Sequence, residues 1–171
     1  VSALIGSDPP AARRMCYLMA GFFRKSLGLG QKEQIALAEE IYLAETYLAI
    51  EEVRFGARLR CRFQIAEATL AFAVPPLVLQ PLIENAVHHG IAHLVEGGEV
   101  TIAATRNGEH LELVVENPCD PDRPASRGAG VGLANVRARI EALFGHRARV
   151  DVEAEPESYR VRIVLPTVAA A

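Results

Sequence analysis

The stretch Gln80-Pro81-Leu82-Ile83-Glu84-Asn85-Ala86-Val87-His88-His89-Gly90 reads as a short helix with two unlike faces. Pro81 suits a first helical turn, where its missing N–H costs little. Leu82, Ile83, Ala86 and Val87 form an apolar face, and Glu84, Asn85, His88 and His89 include the other side. The Asn85 amide beside that apolar run needs a partner. A neighbouring backbone group can supply one, or the amide oxygen can act as a hard ligand for Mg²⁺, which needs few protein atoms when phosphates complete its shell. About forty residues on, Gly128-Ala129-Gly130-Val131-Gly132-Leu133-Ala134-Asn135 is a glycine-rich turn opening into another helix. Its bare backbone N–H groups and the positive helix end suit phosphate oxygens. A Gly-x-Gly-x-Gly run is a weak signal alone. A dinucleotide-binding fold would need a strand directly before it, and a Pro/Asp/Arg loop stands there instead.

Upstream of Gln80, Val74-Pro75-Pro76 breaks the chain, and Arg58 to Ile65 alternates polar and apolar residues like a half-buried strand. Before that, the spacing predicts two helices. The first starts at Ser7-Asp8-Pro9-Pro10, carries Met15, Leu18, Met19, Phe22 and Phe23 as a core stripe, and stops at Gly28-Leu29-Gly30. The second runs from about Ile35 to Arg54, with Leu37, Ile41, Ala44 and Leu48 on one line and Leu43, Tyr47 and Ile50 on another. That arc is wider than one partner helix requires. The extra face packs either on the following domain or on a second copy in a four-helix bundle.

Downstream, Glu99 to Thr105 and His110 to Glu116 predict two strands around an Asn107-Gly108 turn. Pro118 to Arg127 predicts an exposed, mobile loop. The helix after the glycines buries Val136, Ile140, Leu143 and Phe144 and ends at Gly145, and two strands follow at Val150-Val152 and Tyr159 to Leu165. Ala169-Ala170-Ala171 predicts a frayed tail. The expected division is a helical hairpin over 1–56, a catalytic domain over 57–166 and a tail over 167–171.

The 171 residues are half hydrophobic, enough for a packed core, and the net charge of −3 provides no basic field for nucleic acid. Cys16, Cys61 and Cys119 are odd in number and widely spaced, which fits a reducing cytoplasm better than a disulfide framework. No apolar run reaches the roughly 20 residues of a membrane helix.

The order of Asn-bearing helix, strand hairpin, turn, mobile loop and glycine-led helix resembles the ATP-binding domain of the gyrase, chaperone, histidine kinase and MutL (GHKL) superfamily. The wording is similar to one branch, the LytS-type sensor histidine kinases. The segments that carry the likeness are Leu37-Ala38-Glu39-Glu40, Tyr47 to Gly56, Pro75 to Ala86 and Gly128 to Arg137, and the pattern spans Ser2 to Pro166. The resemblance implies an α+β chain, in which an N-terminal helical hairpin precedes a two-layer α/β sandwich of Bergerat type, with a mixed sheet and helices on one face. It implies ATP and Mg²⁺ as cofactors, a response regulator as partner and a homodimer through the N-terminal helices. The resemblance places the chain in the cytoplasm and allows a longer protein anchored in the inner membrane through an N-terminal part.

By the same resemblance Asn85 is the Mg²⁺ ligand, Gly128, Gly130 and Gly132 with Leu133 form the phosphate-side glycine box, and His89-Gly90 closes the Asn-bearing helix. His88 stands where the family commonly has Lys, so the charge there varies with pH. The histidine pair also reads as a polar helix end. A second departure lies at Val115-Glu116-Asn117-Pro118-Cys119-Asp120, where the family carries an adenine-binding Asp-x-Gly-x-Gly. Asn117 falls on the Asp position, and its carbonyl oxygen can accept from the adenine amino group without charge assistance. Glu116 and Asp120 are weaker candidates, and Asn117 also reads as a turn-former.

None of His88, His89, His93, His110 or His146 lies in the family's Asn-Pro-His-Phe phosphoacceptor motif, which would fall just before Val1. The expected function is therefore the catalytic part of a histidine kinase that cannot phosphorylate itself. Two other readings stay open. In an ATPase of the superfamily a Glu base would precede Asn85 by one turn, but Pro81 stands there and Glu84 is expected off that face. A degenerate nucleotide domain would serve only in dimerisation or regulation.

Overall fold

The structure, a computed structural model, describes residues 2–120 and 131–169. Helix α1 (Ser2–Ser7) leads into α2 (Pro9–Leu29). The Asp8 side chain accepts the Ala11 N–H at 3.0 Å and so caps α2, as the Ser-Asp-Pro-Pro signal predicts. A two-residue strand β1 (Ile35–Ala36) precedes α3 (Leu37–Phe55), which packs antiparallel-hairpin fashion on α2 through Phe22 and Tyr47, whose ring centroids lie 6.0 Å apart.

The wide apolar arc of α3 is used within the chain. Leu37, Leu43, Ala44 and Leu48 are at most 1% exposed and join the same core as the sheet. The predicted stripe of α2 fares differently. Met15 is buried, but Phe23 is 54% exposed, and Tyr17 and Leu27 are more open still. One face of the hairpin therefore meets the following domain and the other stays uncovered.

Strand β2 (Leu59–Ile65) starts the main sheet, and β3 (Ala73–Val74) pairs antiparallel with β1, Ile35 opposite Val74. Helix α4 (Gln80–Asn85) continues into a π-helical turn over Ala86–Gly90. The hairpin of β4 (Gly98–Asn107) and β5 (His110–Pro118) turns at Gly108, whose φ of 60° favours glycine. Helix α5 (Val131–Phe144), β6 (Arg149–Ala154) and β7 (Ser158–Pro166) complete the chain.

The five-stranded sheet has the order β2-β4-β5-β7-β6, parallel only between β2 and β4. It is mixed because the segment containing α4 returns β4 alongside β2, while the later connections are antiparallel. Alternation sorts the faces. Val100, Ile102, Leu111, Leu113, Val115, Ile163 and Leu165 point to the helices and are at most 2% exposed, each contributing about 2 kcal/mol of burial. On the opposite face Arg160 pairs with Glu116 and Glu153, and Arg162 with Glu153 and Glu112. The α+β class, the helical hairpin and the mixed sheet agree with the sequence reading.

Two details differ. Leu143, expected on the buried face of α5, is 38% exposed, because Val136, Ile140 and Phe144 alone meet the sheet. Ala169, expected to fray, bridges Phe72, and the Ala73 N–H reaches the Val168 carbonyl at 2.7 Å. Gly145, with φ of 56°, ends α5 as predicted.

Candidate functional site

Helix α4 lies with Leu82, Ile83, Ala86 and Val87 in the core, each at most 4% exposed, and this burial sets which side chains remain outside. Pro81, Glu84, Asn85, His88 and His89 line a cleft of about 340 Å³, closed on the other side by Gly132 and Leu133 of α5 and by Tyr159 and Val161 of β7. The π-helical turn explains how neighbouring His88 and His89 both reach it. In a regular α-helix they would diverge by about 100°, whereas the Ile91 N–H bonds back to the Ala86 carbonyl five residues earlier and widens the turn. Among the described residues no group of three or more His, Cys, Asp or Glu side chains is placed to hold a metal ion.

Glu84, read from the sequence on the polar side of the helix but off the face of Asn85, lines the cleft wall beside Asn85 and accepts a hydrogen bond from Gln80 Nε2 at 2.8 Å. Asn85 and Glu84 together offer hard amide and carboxylate oxygens, a donor set that suits Mg²⁺.

Gly132 occupies the cleft edge where the glycine box was read. A Cβ there would meet Pro81 Cβ at 3.1 Å, so the absent side chain lets α5 approach α4 as well as leaving backbone bare. Gly128 and Gly130 lie outside the described residues, as does the loop over 121–127. Leu133 is half-buried and forms apolar cleft wall.

Asn117 is not on the cleft surface. It is 4% exposed at the end of β5, and its Nδ2 donates to the Pro118 carbonyl at 2.9 Å. Its side chain abuts Gly90, where a Cβ would sit 2.2 Å from Asn117 Nδ2. The histidine-glycine ending of the α4 segment thus has a packing reason: only glycine admits the end of β5. Glu116, the adjacent candidate, points to the opposite face and pairs with Arg160 at 2.9 Å. The Cys119 N–H bonds the Glu157 carbonyl at 3.0 Å and pins this turn to the β6–β7 connection.

Tyr159 and Val161 went unread in the sequence as site residues. Tyr159 is the register partner of Asn117, and Val161 that of Val115, so their place at the cleft follows from pairing across about forty residues. Burial pushes the Tyr159 hydroxyl upward, opposed by Arg137, so it stays a neutral donor and acceptor at physiological pH.

Residues 76–169 match the family of histidine kinase-, DNA gyrase B- and HSP90-like ATPases. The chain belongs to this family. Residues 1–59 match a further family described as histidine kinase. Among curated relatives, the sensor histidine kinase BtsS of Escherichia coli K12 is 35% identical over 97% of this chain, and the sensor protein LytS of Staphylococcus haemolyticus is 28% identical over 98%. The chain spans about 30% of the length of these relatives. The LytS-type resemblance carried by the motifs is thereby borne out, and residues 76–169 form an ATP-binding catalytic domain of the sensor-kinase type.

Solved structures agree on the fold. A mycobacterial sensor histidine kinase, MprB, superposes with a TM-score of 0.57 at 18% identity, covering 81% of this chain and 99% of that one. The catalytic domain of histidine kinase ThkA gives 0.57 at 18% identity, covering 80% of this chain and 97% of that one.

The contact distances rank two substitutions. Gly90→Ala drives a methyl into the Asn117 amide and the Pro118 backbone, whereas Gly132→Ala meets one proline carbon at the edge of contact. We expect Gly90→Ala to lose about 2 kcal/mol or more in urea denaturation and Gly132→Ala less than about 1 kcal/mol. Equal losses would show that Gly90 does not hold the end of β5 in this way.

Proposed function

We propose that this chain is the Mg-ATP-binding catalytic portion of a two-component sensor histidine kinase. The complete protein would transfer the γ-phosphoryl of ATP to a histidine outside this sequence, and then to an aspartate of a response regulator. The observation that carries this reading is the convergence of Asn85, Glu84, His88, His89 and Gly132 on one cleft. The family match supports it. A full-length histidine kinase, ShkA, solved in complex with AMPPNP, shares the fold with a TM-score of 0.59 at 16% identity, covering 92% of this chain and 37% of that one.

In this reading Asn85 Oδ1 holds Mg²⁺, and the backbone of Gly128, Gly130 and Gly132 receives the phosphates at the start of α5. His88 and His89 on the opposite wall would face the phosphates, and Leu133 would supply apolar wall to the nucleotide. Asn117, buried just outside the cleft lining, would accept the adenine amino group once nucleotide opens the end of β5. Its Nδ2 is engaged by Pro118, which leaves the carbonyl oxygen as acceptor. The missing charge weakens that contact by around 1 kcal/mol relative to a carboxylate. Phosphoryl transfer asks of such a site chiefly positioning and charge neutralisation.

The domain division near residue 56 belongs to the same proposal, with the hairpin as dimerisation region. Tyr17, Phe23 and Leu27 on α2 and Tyr42 on α3 are at least 53% exposed, an apolar face that a second copy would cover in a four-helix bundle. Sedimentation velocity at micromolar concentration is expected to show a dimer, and a monomer removes the bundle.

The position of Glu84 on the cleft wall favours one competing reading, an ATPase using that carboxylate as base. Calorimetric titration with a non-hydrolysable ATP analogue and Mg²⁺ should show binding that Asn85→Ala weakens at least tenfold in the presence of Mg²⁺ and little in EDTA. Asn117→Ala should weaken both alike. Absence of wild-type binding at millimolar ligand would leave only a dimerisation or regulatory module. With γ-labelled ATP neither labelled chain nor phosphate release is expected. Sustained release abolished by Glu84→Gln would favour the ATPase.

A further inference from the structure

Glu40 is a carboxylate where the fold gains little from one. It lies on α3, is 1% exposed, and accepts the backbone N–H of Leu79 at 3.0 Å together with that of Leu77. These residues form the turn that leads from Pro75-Pro76 into α4. Leu77 there has φ of 56°, which costs a branched, non-glycine residue roughly 1 kcal/mol or more and persists only where surrounding contacts impose it. The Glu40 carboxylate, gathering N–H groups of the turn, is that imposing contact.

The same turn is held from a third side. Arg139 of α5 donates through Nη1 to the Pro76 carbonyl, so α3, the turn and the helix that carries Gly132 meet at one joint. Two helical turns along α3 from Glu40, on the same face, the Tyr47 hydroxyl lies 3.3 Å from His88 Nε2. Helix α3 therefore touches the α4 segment at its start and near its end, and both touched ends bound the cleft.

Burial pushes the Glu40 carboxyl above the usual carboxylate range, although the N–H groups of Leu79, Leu77 and Val78 and the charge of Arg139 act the other way. A carboxyl raised on folding lowers stability as pH climbs from its unfolded value through its folded one. At neutral pH Glu40 is thus no gain in stability over a solvated carboxyl, and its geometry answers a different requirement.

We propose that Glu40 is a positioning residue that locks the α4 segment to α3, so that the placement of Asn85 relative to Gly132 follows the placement of the hairpin helix. The consequence for nucleotide rests on the function proposed above. A displacement of α3 by about 1 Å would reach the metal ligand through the Leu77–Leu79 turn and His88 through Tyr47, because direct hydrogen bonds join α3 to both. Helix α3 is accordingly the element through which the hairpin would set nucleotide affinity.

Two comparisons on the full chain test this. Hydrogen–deuterium exchange without ligand is compared for wild type, Glu40→Gln and the exposed control Glu45→Gln on the same helix. Glu40→Gln keeps the shape and one acceptor, and is expected to speed exchange at least tenfold over residues 77–90 while the amides of β4 and β5 stay protected. Unchanged exchange over 77–90, or acceleration spread equally over the sheet, overturns the proposal. Calorimetry with Mg²⁺ and a non-hydrolysable ATP analogue should show Glu40→Gln weakened about tenfold in Mg²⁺ with smaller change in EDTA. Equal loss in both conditions would mark Glu40 as merely structural. A wild type that binds no nucleotide overturns the reading of the cleft instead, and the exchange comparison then decides the coupling alone.

Discussion

The structure depends on the seating of one short helix. Leu82, Ile83, Ala86 and Val87 are pressed into the core shared with the sheet, and this leaves Glu84, Asn85 and the two histidines no choice of direction. Four small-to-medium apolar side chains contribute several kcal/mol of burial, more than any single polar contact in the cleft could recover if the helix rotated. The polar face is therefore held by apolar packing. Two close approaches keep the helix from sliding: Pro81 against Gly132 at one end and Gly90 against Asn117 at the other. The approach at Gly90 admits no side chain and that at Gly132 only a tight one, so these two glycines serve packing as well as any ligand.

The segment is also tied to the hairpin helix. Glu40 and Tyr47 reach it from α3, and Arg139 reaches its leading turn from α5. The sheet provides the floor: the register that sets Asn117 beside Tyr159 brings the end of β5 and the start of β7 under the same cleft. Three parts of the chain, widely separated in sequence, thus converge on one cleft.

Much of this was legible in the residues. The Asp8 cap, Pro9-Pro10 and the helical stripe located α2, the alternation in β4 and β5 located a hairpin, and Gly145 marked the end of α5. Asn85 and Gly132 stand out by residue type and spacing, whereas His88, His89 and Leu133 enter through the resemblance of their motifs to the family. What escaped was tertiary. Tyr159 and Val161 line the cleft only through strand register, and Glu84 reaches it from the last turn of α4 because Leu82 and Ile83 seat the opposite side in the core. The β1–β3 pairing is two residues long and leaves no periodic trace. Glu40 read as part of a motif and gave no sign of burial, since a carboxylate is expected on a helix surface unless something pairs with it.

The central claim is that the cleft between α4, α5 and β7 takes Mg-nucleotide. Backbone and side-chain NMR titration of the ¹⁵N-labelled chain with Mg²⁺ and a non-hydrolysable ATP analogue addresses it directly. Saturable shifts should concentrate at Asn85, His88, Gly132, Leu133 and Tyr159, with His110 and His146 at the far end of the sheet unmoved. Shifts confined to that far end, or none at millimolar ligand, would contradict the account.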